Sequence, residues 1–189
     1  MSDDGAPKSA HVDSSSKLRH LLAIAAKPGN QHWFVRVAAA QQWLVTAAAH
    51  HGLDLADYQH TADTSALRHI LKHHGDPERE RRRGNVPVTP DELMMLADIV
   101  SAPDFVVFGL SSRRGEDIVA LAKENGNGTV TYLEEVRRGR KQLALQTMWK
   151  VPGAIDASRL RATLNLDARS VPQDEVVIID RRRADKTKR

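Results

Sequence analysis

Asn125-Gly126-Asn127-Gly128, followed by Thr129-Val130-Thr131-Tyr132-Leu133-Glu134-Glu135-Val136, decides the fold. Two Asn-Gly steps supply residues that accept positive φ, a strong short-range hairpin signal. The run after them is rich in β-branched residues, as a strand requires. Strands fit on both sides of this turn. Asp117–Lys123 precedes it, and before that Phe105–Leu110 is a compact apolar strand closed by the turn Ser111–Gly115. Downstream, Arg137–Lys141 is a basic turn and Gln142–Lys150 a fourth strand. Short turns make consecutive strands antiparallel neighbours. The expected sheet is a four-stranded antiparallel meander.

Helical patterns come first in the chain. Leu18, Leu21, Leu22 and Ala25 predict a helix over Lys17–Ala26, broken by Lys27-Pro28-Gly29-Asn30. Trp33, Val37, Ala40 and Leu44 form a stripe that predicts a longer helix over residues 31–51, with Gly52 as its stop. The two form an αα-hairpin against the rest of the chain or an adaptor to something else. A further helix runs to His74, capped by Asp63, Thr64 or Ser65 and stopped by Gly75. Residues 76–88 are a basic loop. Thr89-Pro90-Asp91-Glu92 then starts a helix with a capping box and Pro at the first position, ending near Val100 before Pro103. Helices followed by a meander make the class α+β. The expected organisation is a disordered segment 1–16, a helical region 17–52, a main domain 53–152, and a stretch 153–189. The last holds a linker, an edge strand over Glu175–Asp180 and a basic tail.

Composition narrows the function classes. The chain has 189 residues, 41% of them apolar, enough for one packed core. No apolar run approaches a membrane span, and the polar start Met1-Ser2-Asp3-Asp4-Gly5 is unlike a secretory signal. The absence of cysteine excludes disulfides and thiolate metal sites. A cytoplasmic bacterial protein, or one delivered to a target cell's cytoplasm, is expected. The formal charge is +4, but residues 181–189 alone carry six cations against Asp185. The body is therefore near neutral, and a nucleic-acid site on it must be a local patch.

All nine histidines fall before residue 75, and His50, His51, His60, His69, His73 and His74 crowd into the second half of that span. Histidine exchanges protons near neutral pH. With Arg and Lys around it and no Cys, the grouping points to metal-free chemistry on a phosphodiester. RNA cleaves when its 2′-OH attacks the adjacent phosphate; a catalyst must take that proton, protonate the leaving 5′-oxygen and steady the transition state with cations.

His69 and His73, four apart, share a helix face. His69 lies off the apolar stripe Leu67, Ile70, Leu71 and is the first candidate for proton transfer. His74 shares that stripe and is either a partly buried cap-turn residue or a catalyst. His73 reads as solvated. His60 either reaches the site or packs beside the helix cap. His50 and His51 favour a helix C-terminus. Thr147 and Lys150 sit three apart on the last strand, so they face opposite sides if it is regular; a bulge or the strand's end near Pro152 would bring them together. Arg79, Arg81, Arg82 and Arg83 alternate with acids as a solvated loop or a sequence-blind phosphate grip. Arg68, Arg137, Arg140 and Lys141 are further candidates for holding RNA. Tyr132 is a core residue or a base-stacking one. A His69–His73 pair with one more ligand is a metal alternative, although no H-E-x-x-H motif is present; no cofactor is expected.

His69 to His74-Gly75, then the charged run ending in Arg83-Gly84, then Pro87-Val88-Thr89-Pro90-Asp91-Glu92, the meander, and Leu145-Gln146-Thr147-Met148-Trp149-Lys150 follow one another in a set order. That order resembles the phage-associated members of the Barnase–EndoU–colicin E5/D–RelE superfamily of RNases, over roughly residues 58–152. The resemblance implies an α+β RNase fold and a metal-independent endoribonuclease of toxin or phage type acting on tRNA or another structured RNA. It further implies a cognate immunity protein or antitoxin as partner. His69 would transfer protons, Lys150 and Arg83 would stabilise phosphate, Thr147 would donate a hydrogen bond to it, and His74 occupies a motif position. Asn85 stands where a Gln often follows the Arg-Gly pair. The alternatives are an inactive RNA- or protein-binding module on the same fold, and a DNA-binding protein built on the N-terminal helices.

Overall fold

The computed structural model describes residues 9–164 and 176–182. The meander predicted from the Asn-Gly turn is present as β3 (Phe105–Ser111), β4 (Asp117–Asn125), β5 (Gly128–Arg137) and β6 (Gln142–Pro152). It is the middle of a larger sheet. Among the described residues seven strands run in the order β1-β2-β6-β5-β4-β3-β7, adding β1 (Phe34–Ala39), β2 (Gln59–Asp63) and β7 (Val177–Asp180). All neighbours are antiparallel except β2 and β6, which pair in parallel through Gln59↔Gln142, His60↔Leu143 and Thr61↔Ala144. The sheet is thus wider than four strands and not purely antiparallel.

The helices are α1 (Ser9–Ala25), α2 (Gln42–Ala49), α3 (Thr64–His74), α4 (Pro77–Arg82), α5 (Pro90–Met94), α6 (Leu96–Ser101) and α7 (Ala157–Thr163). They are spread along the chain, not confined to its start. The helix expected over 31–51 is half strand. Val35 and Val37 are β-branched, and Phe34–Ala39 pairs with β2 before Gln41 caps α2 in extended geometry. The stripe that suggested one helix joined residues of two elements. Residues 9–16, expected to be disordered, open α1, whereas residues 1–8 lie outside the described residues. The loop 76–88 contains α4, capped by Asp76. The capping box at Thr89 and Glu92 forms as predicted, but the helix breaks at Met95 into α5 and α6.

Both sheet faces are covered, which explains why β3 and β4 read as continuous apolar runs instead of alternating. One core holds Leu44, Leu67, Ile70, Leu93, Leu96, Val106, Phe108 and Tyr132 under the α1, α2, α3, α5 and α6 side. The other holds Phe105, Val107, Leu133, Val151 and Leu160 against α7. The expected edge strand is β7, placed against β3. Beyond it, the Arg181 and Arg182 guanidinium groups lie 3.7 and 4.2 Å from the Trp43 and Phe105 ring centroids. The rest of the basic tail, 183–189, and the later part of the linker, from residue 165, lie outside the described residues; the earlier part of the linker forms α7. Among the described residues no helix is long and apolar enough to cross a membrane.

Candidate functional site

The site begins with a defect in the sheet. In β6, Thr147 pairs with Leu133 but Leu145 pairs with Glu134, so Gln146 is an extra residue. A bulge re-aims the side chains that follow it. Leu143 and Leu145 fill the larger core and, past the bulge, Met148 takes the next place in it. Thr147 is thereby turned away from that core. Its hydroxyl is buried yet has no hydrogen-bond partner.

Thr147 lines an open groove of about 770 Å³ with His69, His32, Arg113, Arg137 and Gln146. Three elements, α3, β5 and β6, and two connecting segments supply the groups. His69 comes from α3, whose start is fixed by the Asp63 carboxylate accepting from the Ala66 N–H at 2.8 Å. Arg137 ends β5, its Nε donating to Glu135 at 3.1 Å, and Arg113 sits in the turn between β3 and β4. His32 enters ahead of β1, its Nε2 3.9 Å from Asp63 Oδ2. His69 and Arg113 are exposed and Arg137 and Thr147 half-buried. The groove therefore joins two imidazoles, two guanidiniums and the Asp63 carboxylate in one solvent-accessible cleft, with the unengaged Thr147 hydroxyl buried in its wall.

His69 also belongs to a cluster of imidazoles. Its ring centroid lies 4.7 Å from that of His73 and 6.1 Å from that of His74, and His74 lies 6.4 Å from Trp149. Burial, then the neighbouring His69, Lys72, Arg79 and Arg83, hold the His73 pKa below its ordinary value. Burial also lowers that of His74, against the opposing pull of Glu80.

Beneath this cluster Glu80 is fully buried and organises the loop. Its carboxylate accepts from Arg83 at 2.7 Å and Asn85 Nδ2 at 2.9 Å, and lies 3.6 Å from His74 Nδ1. Arg83 also donates to the His73 carbonyl at 3.1 Å. The Arg83-Gly84-Asn85 sequence thus builds a brace for the end of α3.

Other sequence candidates lie elsewhere. Lys150 does not converge with His69 and Thr147. The bulge is upstream of both Thr147 and Lys150, the strand between them is regular, and they face opposite sides. Lys150 is buried and ion-paired with Glu92, the capping-box acid of α5. His60 is fully buried, its Nδ1 donating to Glu134 at 2.8 Å, while the Tyr132 hydroxyl donates to the same carboxylate at 2.9 Å. Burial first, then Glu134, pushes the Tyr132 phenol well above its ordinary range. His60 and Tyr132 form a core network with no exposed face for a base or phosphate. Arg68 donates to the Gln31 carbonyl at 3.2 Å and Lys141 pairs with Asp57 at 3.1 Å. Arg140 is exposed in the short 3-10 turn after Arg137.

His32 and Arg113 were not singled out from sequence. They are isolated in the chain and only tertiary structure brings them to His69; no local pattern could have found them. Among the described residues, no group of three or more His, Cys, Asp or Glu is arranged to hold a metal ion.

A family model described as phage-Barnase-EndoU-ColicinE5/D-RelE like nuclease 3 matches residues 38–158, well over half of the chain. The chain belongs to that family, as the order of its motifs had suggested. No curated protein and no solved structure gives a significant match.

Proposed function

We propose that this member of a nuclease family is an endoribonuclease that cleaves RNA by 2′-OH attack without a metal ion. The observation that carries the proposal is the groove that joins His69, His32, Arg113, Arg137 and the unengaged Thr147 hydroxyl. In the proposed reaction His69 takes the 2′-OH proton as the 2′-oxygen bonds to phosphorus. The P–O5′ bond breaks, and His32 delivers a proton to the leaving 5′-oxygen. Products are a 2′,3′-cyclic phosphate and a 5′-OH. Arg113 and Arg137 neutralise the non-bridging oxygens and Thr147 donates to one of them; fixed donors aimed at developing charge contribute most in such sites. The lowered pKa values of His73 and His74 disfavour further positive charge in the imidazole cluster.

Substrates in this reading are tRNA or other structured RNA, in keeping with a toxin- or phage-type nuclease. A cytoplasmic target and an immunity protein or antitoxin that occludes the groove belong to the same proposal.

The test is incubation of purified protein with tRNA and total RNA in excess EDTA. Discrete cleavage ending in 2′,3′-cyclic phosphate, reduced about 10²–10⁴-fold in His69→Ala, supports it. Cleavage abolished by EDTA, or unchanged in the variant, refutes the mechanism. One observation favours a second reading, an inactive binding module: Lys150, the cation the motif offers to phosphate, is spent inside the protein on Glu92. RNA binding without cleavage by any preparation would select it.

A further inference from the structure

Trp33 and Phe34 are 57% and 56% exposed, the exposed large hydrophobic side chains among the described residues. Two adjacent aromatics left in water at the start of an edge strand need an explanation. They line an apolar trough of about 430 Å³ between β1 and α1, with Lys17 and His20 on its α1 side. The family match begins at residue 38, so this feature lies outside the shared nuclease region.

The trough is tied to the groove through the backbone. The Thr64 hydroxyl donates to the Gln31 carbonyl at 2.7 Å and accepts from the Trp33 N–H at 3.2 Å, and the Thr64 N–H donates to the Trp33 carbonyl at 2.9 Å. Arg68 adds a bond to Gln31. Thr64 and Arg68 belong to α3, the helix that carries His69. Residues 31–33 are therefore fixed to the catalytic helix, with His32 in the groove and Trp33 and Phe34 in the trough. Two residues of extended chain span about 7 Å, so a strand with its phosphate at His32 has its neighbouring base within reach of the aromatics.

We infer that Trp33 and Phe34 form a stacking platform for an unpaired nucleobase beside the phosphate in the groove. Aromatic rings next to cations are how proteins hold single strands without reading sequence, and a duplex base has no free face to offer. The inference rests on RNA being the substrate.

The test uses the full chain and a Trp33→Ala/Phe34→Ala variant, checked for an unchanged melting temperature. Anisotropy of a labelled single-stranded RNA and of its duplex is measured on a His69→Ala background, and kcat and KM on the cleaving protein. The expected result is single-strand affinity weakened on the order of 10-fold or more, as for loss of a stacked base, with duplex affinity little changed and KM raised more than kcat is lowered. Unchanged binding and KM overturn the platform while leaving the nuclease reading intact. A wild type that never cleaves yet binds single strands through these aromatics upholds the platform and removes the nuclease. RNA binding by neither protein removes both. A variant that loses self-association in sedimentation, with RNA binding unaltered, assigns the trough to a second copy of the chain.

Discussion

Lys150→Met separates a phosphate-binding role from a structural one. The Lys150 and Glu92 side chains are 5% and 9% exposed and paired with each other. Removing one partner of a buried pair strands a charge, typically at a cost of about 3–5 kcal/mol. Here the loss falls toward the lower end. The other Glu92 oxygen keeps donors from the Thr89 N–H at 2.9 Å and the Thr89 hydroxyl at 3.3 Å, and methionine refills most of the lysine stem. A cost of about 3 kcal/mol, at roughly 2–4 °C per kcal/mol for a chain of this size, lowers Tm by about 6–12 °C. A double variant Glu92→Gln/Lys150→Met removes the stranded charge while the introduced amide still accepts from Thr89. It should melt above the single variant by several degrees. Thermal scans supply the stability, and cleavage assays well below the variant's melting point supply kcat/KM. A folded Lys150→Met protein should cleave within a few-fold of wild type. Wild-type melting with a loss of tenfold or more in kcat/KM would refute the structural assignment and return Lys150 to the phosphate.

Acidification should weaken the fold through His73 and His74, whose pKa values lie below the ordinary 6.5. Such groups bind protons more readily when unfolded, so their contribution is intact above pH 6.5 and lost as pH falls below it. Urea midpoints at pH 8 and 5.5 check this, and a midpoint that rises on acidification contradicts it. Gly128→Ala should destabilise by about 1–3 kcal/mol, because the added Cβ meets the Val151 carbonyl at 2.4 Å and Lys150 Cε at 2.8 Å; a wild-type melting curve would sink that argument. His60→Ala should cost at least about 2 kcal/mol by leaving the buried Glu134 short of a donor, with cleavage by the folded variant nearly unchanged. A rate loss of a hundredfold at unchanged stability would instead make His60 a catalyst.

The legible parts of the fold were those specified locally. The Asn-Gly turn, the Thr89–Glu92 capping box and the Asp63-capped helix with its Gly75 stop all act within a few residues, and each formed. The first half of 31–51 failed because its strand exists only through pairing with β2, a partner some 25 residues away in sequence. The same distinction divides the candidate site. His69 could be chosen because it stands off an apolar helical stripe. Lys150 could not be rejected, because its partner Glu92 lies far away in sequence and its face depends on where a bulge falls. His60 was ambiguous for the same reason: only Glu134 on another strand makes it a core residue.

The position of the groove follows from how β2 and β6 part. Their parallel pairing stops at Ala144, and the next bridge to that edge of β6 is Val86 at Lys150. On that edge, residues 145–149 therefore have no strand beside them, although β5 pairs with their other side, and unpaired sheet edges must be covered. The chain covers this one with α3, which starts directly after β2 and packs along β6. A helix beside a strand edge cannot fill the space a strand would, and the bulge at Gln146 lies within the same stretch. The two irregularities open a cleft where a helix with an exposed histidine meets a strand with a freed hydroxyl. The arginines arrive because β5 ends, and the β3–β4 turn lies, at the same end of the sheet. The cleft lies where the parallel β2–β6 pairing ends: a partner strand running on past Thr147 would close it.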